Sequence, residues 1–378
     1  MPYKKIIFQF ISISNFFLNF YILLILMFFG NLNIAGEGFV LISLISIFTQ
    51  GFSGNFRNIY LGRKKTKNIK IILSFRLKIM IIGIILSTII FYFFISKLNI
   101  LFHIALILLT STNWILELII SRYEKNNVLN IYHLLNQIVF IIFFPLLVYI
   151  SLNFLEYIIF LFVLINFFIF KKYFKDILKN NFQLIKIQDI KFNLAVGSTI
   201  LKTISNFIWR YSLLYFIGKS QSAILFLGFS FGSFYGTLFD VSYGALFLKN
   251  LKKNKKLILN IFYVTYIILI LIAVIVFKKF STLSDSELNL LFITTIFSLI
   301  GSYIMVIALQ HRQNLFELKS MQIISFKADI YIYLFNSILI SLLFFINEKL
   351  IASAYLIVSI FVYIVYNIIL KNVFDKKK

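Results

Sequence analysis

The stretch Thr199–Gly244 decides how this chain is read: TILKTISNFIWRYSLLYFIG (199–218), a polar break KSQS (219–222), then AILFLGFSFGSFYGTLFDVSYG (223–244). At 1.5 Å per residue each apolar segment is long enough to cross a hydrocarbon core of roughly 30 Å. Yet Lys202, Arg210 and Asp240 lie inside them. A charge at bilayer depth costs about 2.5–3.5 kcal/mol on insertion scales, so such residues normally face a protein interior or a water-filled cavity. They are the first candidates for function. The second segment also spaces Gly228, Gly232 and Gly236 four apart, with Asp240 and Gly244 continuing the ridge. Small residues at that spacing let another helix, or a ligand, approach the backbone.

Composition sets the class: 61% of the 378 residues are hydrophobic and 13% charged, and the mean hydropathy is +0.96. No ordinary soluble domain has that balance, and an all-α polytopic membrane protein does. The absence of cysteine removes disulfides and thiolate chemistry. A net charge of +24 invites a nucleic-acid reading, but the positions of the charges oppose it.

Twelve apolar helices are expected, near Phe10–Phe29, Phe39–Phe56, Ile79–Ile95, Leu101–Ile120, Leu129–Ile150, Leu155–Phe170, Phe192–Ile217, Ala223–Leu248, Leu257–Phe277, Leu288–Leu309, Ile330–Ile346 and Leu350–Leu370. The connections then alternate. Thirty basic residues fall on the side of both termini, five on the other, and Lys202 and Arg210 within the seventh helix. Positive residues accumulate in cytoplasmic loops, so both ends are expected inside, with the basic loops touching anionic headgroups of the membrane lipid. The apolar run after MPYKK is about twenty residues, longer than the 7–15 of a signal peptide, and reads as the first span. A basic linker at 171–191 separates two expected six-helix lobes, 1–170 and 192–378. Ile13–Phe16 (ISNF) repeats as Ile204–Phe207, and Phe28–Gly30 (FFG) parallels Phe216–Gly218 (FIG). Two halves of even helix number share one orientation in the membrane.

Two lobes, short outer loops, the basic linker and a second helix ending GFSGNFRNIYLGR (51–63) resemble the lipid-linked oligosaccharide flippases of polysaccharide biosynthesis. Those belong to the superfamily that includes multidrug and toxin extrusion transporters and the lipid II flippase. The resemblance implies a central cavity lined by helices one, two, seven and eight. It implies translocation of an undecaprenyl-diphosphate-linked glycan across the bacterial cytoplasmic membrane, with a polysaccharide polymerase as the class of protein partner. It further implies that Arg57, Lys202 and Arg210 meet the diphosphate or acidic sugars. The chain departs from the family in lacking an evident acidic pair in helix one or two, which leaves the energy source open.

The residues suit that task. Arginine binds phosphate bidentately, and Trp209, Tyr211, Tyr235 and Tyr243 offer rings for sugar faces. Asn206, four residues from both Lys202 and Arg210, shares their face. Each residue also has a plainer role. Arg210 is near enough to its helix end to snorkel, Lys202 and Asp240 are near enough in depth to neutralise one another, and Arg57 fits the basic collar. The glycine ridge fits helix packing. Glu117 is a second buried acid, either structural or coupling. His103 and His133 read as isolated at opposite ends of helices four and five, and His311 as a solvated inner-loop residue, with no metal-ligand spacing and no cofactor motif. The rival readings are a drug or small-solute exporter of the same superfamily and a membrane polymerase or ligase. The second usually needs outer-face acids or a large outer loop to hold its catalytic groups, whereas the outer acids expected here, Glu37, Glu156, Asp285, Glu287 and Glu348, are scattered over turns.

Overall fold

Residues immersed in hydrocarbon have no water to satisfy backbone N–H and C=O groups, so a spanning segment pairs them internally as a helix. The computed structural model, which describes residues 17–51, 69–95, 100–122, 127–150, 154–171, 175, 194–249, 255–317 and 322–375, follows that rule. Twelve α-helices occur among the described residues, and no strand. They are α1 (Phe17–Phe28), α2 (Leu32–Ser46), α3 (Ile69–Phe94), α4 (Ile100–Arg122), α5 (Asn127–Ile150), α6 (Leu155–Ile169), α7 (Leu194–Ile217), α8 (Lys219–Lys249), α9 (Lys255–Phe280), α10 (Asp285–Glu317), α11 (Gln322–Ile346) and α12 (Ala354–Asp375). A π-helical turn, Ile47–Gly51, ends α2, and a 3₁₀ turn, Glu348–Ser353, precedes α12.

Among the described residues, seven spans are long and apolar enough to cross a membrane; those on α3, α5 and α9 have less than a third of their residues buried. Their remaining surface is Ile, Leu, Val and Phe, such as Ile82, Ile85, Ile142, Phe143, Ile268 and Ile272. An apolar exterior on that scale requires lipid around it. The protein is an all-α, membrane-embedded chain.

Four helix boundaries differ from expectation by seven residues or more; α10 runs on to Glu317 instead of ending near Leu309, and α11 begins at Gln322 instead of near Ile330. Helix α2 begins at Leu32, not near Phe39, so Glu37 is helical and buried and does not sit in a turn. The turn is made by Gly30, whose φ of +80° only glycine adopts freely. Helix α3 begins at Ile69, not near Ile79, and takes in Lys70, Arg76 and Lys78. The segment IKIILSFRLK contains no helix breaker, and hydropathy marks where hydrocarbon stops rather than where a helix stops. The paired glycines of the faint repeat do behave alike. Gly30 and Gly218, at +80° and +90°, are the positive-φ glycines among the described residues, and each follows its helix as an αL cap.

Contacts divide the helices into two compact units, Met1–Phe29 with Glu37–Phe207, and Gly30–Gly36 with Ile208–Lys378. In the first unit, α5 carries Pro145 in its interior. Proline has no N–H to give the carbonyl four residues back, which is Ile141. The Tyr21 hydroxyl of α1 donates to that carbonyl at 2.6 Å. The core beside it is aromatic, with Phe140 against Phe144 and Phe162 at ring separations of 5.0 and 4.6 Å. In the second unit α10 packs between α8 and α12. Gly301 lets α10 meet Leu356 and Ser359 of α12, where even an added Cβ would lie 3.0 Å from the Leu356 Cα.

Tyr21→Phe leaves the Ile141 carbonyl without a donor and should cost about 1–3 kcal/mol. In a Pro145→Ala background the same change should cost much less, because the helix then supplies its own N–H. Thermal unfolding of the two single variants and the double variant in detergent measures that coupling.

A polar face on α7 as the candidate functional site

Helix α7 is not among the seven strongly apolar spans, and the reason is its polar content: Ser198, Thr199, Lys202, Thr203, Ser205, Asn206, Arg210 and Ser212. At about 100° per residue these positions fall on one half of the helix. The exposed apolar residues Ile204, Ile208 and Tyr215 (37, 39 and 71% exposed) define the opposite half. Tyr215 is about 180° round the axis from Asn206, and Ile204 and Ile208 about 160°. Lys202, Asn206 and Arg210 therefore form a stripe turned away from the apolar surface of their own helix. It is flanked by buried Ser205, Trp209 and Leu213 on one side and buried Thr203 on the other. Lys202 stays exposed, and Asn206 and Arg210 are half-buried.

Gly51, the last residue of the π-helical turn, meets α7 at Thr203 and Ile200, where a Cβ would come within 2.6 Å of the Thr203 Oγ1. The GFSGNFR segment leaves from this contact. Arg57 itself lies outside the described residues. Trp209 packs at a tilt against Phe229 of α8 with centroids 4.8 Å apart, and its buried Nε1 has no hydrogen-bond acceptor among the described residues.

Asp240 and Gly236 are on α8, and Glu117 is on α4, as expected. Their surroundings lie outside the described residues, and so does any pairing of Lys202 with Asp240. The rest of the glycine ridge is accounted for by packing. Gly228 faces Thr294 of α10, with a Cβ falling 2.7 Å from two of its side-chain atoms, and Gly232 faces the Ser298 backbone at 2.4 Å. Ser298 Oγ donates across the seam to the Gly228 carbonyl at 2.6 Å. At these two positions it is a helix, not a ligand, that approaches the backbone.

Five groupings go beyond what the spacing indicated. His103 is not isolated: its Nε2 is 3.3 Å from the Glu37 Oε2, with both side chains buried. His133 is not isolated either, since Nδ1 bonds Asn166 Oδ1 at 2.8 Å and Nε2 bonds the Gln137 amide at 3.2 Å. His311 belongs to α10 rather than a loop, 6.0 Å from the Tyr363 ring. Arg76 is buried under Trp114, with its guanidinium carbon 4.5 Å from the ring centroid and Nη1 donating to the Trp114 carbonyl at 3.0 Å. Fully buried Asp329 accepts a bidentate pair from Arg312, Nη2 at 2.7 Å and Nε at 3.0 Å, and a third bond from the Tyr366 hydroxyl. That triad ties α10, α11 and α12 together. The sequence signal for Asp329 was an acid placed immediately before the apolar run that begins at Ile330, with an arginine three residues after the preceding run ends at Leu309. No group of three or more His, Asp or Glu residues able to hold a metal occurs among the described residues.

No protein-family model, curated protein or solved structure matches this chain.

Gly232→Ala should destabilise the second unit by about 1–3 kcal/mol, because the obstructing atoms are backbone and cannot rotate aside; Ser233→Ala, one residue along and exposed, serves as the neutral control in the same detergent melt. Asp329→Asn should cost about 3–5 kcal/mol by leaving Arg312 without its counter-charge. The Asp329→Asn, Arg312→Met double variant should recover much of that loss.

Proposed function

We propose that this chain is a flippase of bacterial surface-polysaccharide synthesis, moving an undecaprenyl-diphosphate-linked oligosaccharide across the cytoplasmic membrane. It would do so as twelve spans in two lobes with both termini cytoplasmic. The observation that carries the reading is the polar face of α7, where Lys202, Asn206 and Arg210 run along one stripe opposite Ile204, Ile208 and Tyr215. A carrier lipid keeps its tail in the bilayer, so the protein has only to shelter a charged and hydrated head. Two cations with an amide between them, spread over about 12 Å of helix, match the length and charge of a diphosphate followed by its first sugar. The indole of Trp209 beside them has an N–H for a sugar hydroxyl. A cationic stripe repels organic cations and so disfavours the exporter reading. Asp240 and Arg57 belong to the proposed binding set, by register and by sequence respectively. Glu117 is kept as a structural or coupling acid.

The test uses proteoliposomes containing a fluorescent polyprenyl-diphosphate oligosaccharide, scored by a glycosidase added outside. Wild-type protein should expose the inner-leaflet probe. Lys202→Ala and Arg210→Ala should insert normally and slow exposure at least about tenfold each, the equivalent of one lost charge-assisted hydrogen bond, and Asp240→Ala should also impair it. Probe exposure at the wild-type rate in all three would remove this face from the mechanism. Efflux of a cationic dye without glycan movement would return the assignment to an exporter.

A further inference from the structure

Helix α4 is enclosed by the rest of the first unit over most of its length. From Phe102 to Leu116 every residue is buried except Ile104 and Leu108, which are partly exposed. Four polar residues stand in a row along that stretch, Thr110, Ser111, Thr112 and Asn113. Thr110 is satisfied on its own helix, its hydroxyl donating to the Leu106 carbonyl at 2.8 Å. Asn113 is not. It is 5% exposed, and its Oδ1 and Nδ2 are both enclosed with no hydrogen-bond partner among the described residues. The same holds for Ser111 Oγ and for Ser87 Oγ on α3. A serine can turn its hydroxyl back to the carbonyl of the preceding turn. An asparagine amide has two ends of opposite character, and both need an answer.

Helix α3 measures the depth of Asn113. Phe91 meets His103 and Arg76 meets Trp114, so α3 and α4 run antiparallel. Gly83, midway between those contacts, abuts Phe48 and Ile45. The end of α2 and its π-helical turn therefore lie level with the part of α4 that precedes Trp114. The direction round the axis agrees with the depth. Gly38 of α2 abuts Leu106, and Asn113, seven residues further on, is about 20° round the helix from Leu106. Asn113 thus shares the side of α4 that meets α2. Thr49, within the π-helical turn, is also buried, its hydroxyl on the Ile45 carbonyl at 3.1 Å.

We infer that Asn113 holds an internal water in the first unit, beside the π-helical turn. The occupant has to donate to Oδ1 and accept from Nδ2. A bare cation would answer the oxygen alone, and a bare anion the nitrogen alone. The enclosure of both atoms excludes a lipid headgroup or a sugar. One water meets both ends at once, closing a ring with the amide oxygen and the N–H on the same side of the amide. Its second proton has an acceptor in Thr110 Oγ1, one turn back and about 60° round the axis. Those are the three bonds typical of a buried water. The site belongs to the first unit by itself and is independent of the flippase reading.

The test is pulsed X-ray hydroxyl-radical labelling of the full chain in phosphatidylethanolamine–phosphatidylglycerol nanodiscs, in water enriched in heavy oxygen and read by mass spectrometry. Radicals born from a bound water oxidise the side chains beside it even where bulk solvent does not reach. Leu109 and Leu116, four residues before and three after Asn113, are fully buried, as are the controls Leu227 and Leu291 of the second unit. Wild-type protein should be labelled at Leu109 or Leu116 well above the controls, and Asn113→Leu should lose that labelling. Labelling at the control level in wild-type protein would overturn the site, and so would a leucine variant that keeps the signal. A signal present in sodium and absent in potassium would make the occupant a metal cation and overturn the assignment to water. Should Asn113→Leu fail to elute as a single species, the wild-type comparison decides, with labelling above the controls supporting the site and labelling at their level overturning it.

Discussion

In hydrocarbon a polar group has no solvent to fall back on, and each one left unanswered costs a substantial part of a protein's net stability. That constraint shapes this chain more than any single contact. Its apolar residues need only avoid clashes, while its few polar residues need partners at the right depth. The Ile141 carbonyl, stripped of its helical donor by Pro145, is answered by Tyr21. Asp329, with no exposed surface, takes both arms of Arg312 and a tyrosine hydroxyl. Arg76 lies against the face and the carbonyl of Trp114.

The two units meet the constraint differently. In the second, helices approach until glycine backbone touches serine and threonine, and Ser298 bridges to Gly228. Close contact supplies dispersion energy that lipid cannot match, which makes this seam rigid. The first unit is looser in its polar accounts. Ser87, His103, Ser111 and Asn113 bury side-chain atoms with no partner among the described residues. Buried polar groups of that kind mark places where a protein changes state or handles an ion more often than places where it is merely held together. Helix α7 combines both characters, with an apolar half suited to lipid and a half that lipid would reject.

Much of this was legible in the sequence. Hydropathy located α5, α6 and α7 to within two residues at each end, because a membrane span announces itself by length and composition alone. Hydropathy failed at α2, α3, the end of α10 and the start of α11, where charged or glycine-containing turns of helix continue past the apolar run. That failure hid the Glu37–His103 pair: once Glu37 was placed in a turn, nothing in the spacing could bring it to a histidine sixty-six residues later. The polar side of α7 was partly visible as a four-residue repeat of Lys202, Asn206 and Arg210, and counting every polar residue of that helix would have completed it. The packing role of Gly228 and Gly232 was visible only as one of two choices. Deciding between them required knowing that Thr294 and Ser298 lie opposite.

The bond from Tyr21 to Ile141 also bears on how the chain enters the bilayer. Helices emerge from the ribosome in order, and α1 is in place more than a hundred residues before α5 is made. The hydroxyl is thus already waiting when the proline-broken helix arrives, so the exposed carbonyl is capped on docking. With the two residues in reverse order, the defect would have to sit in lipid while its remedy was still being translated.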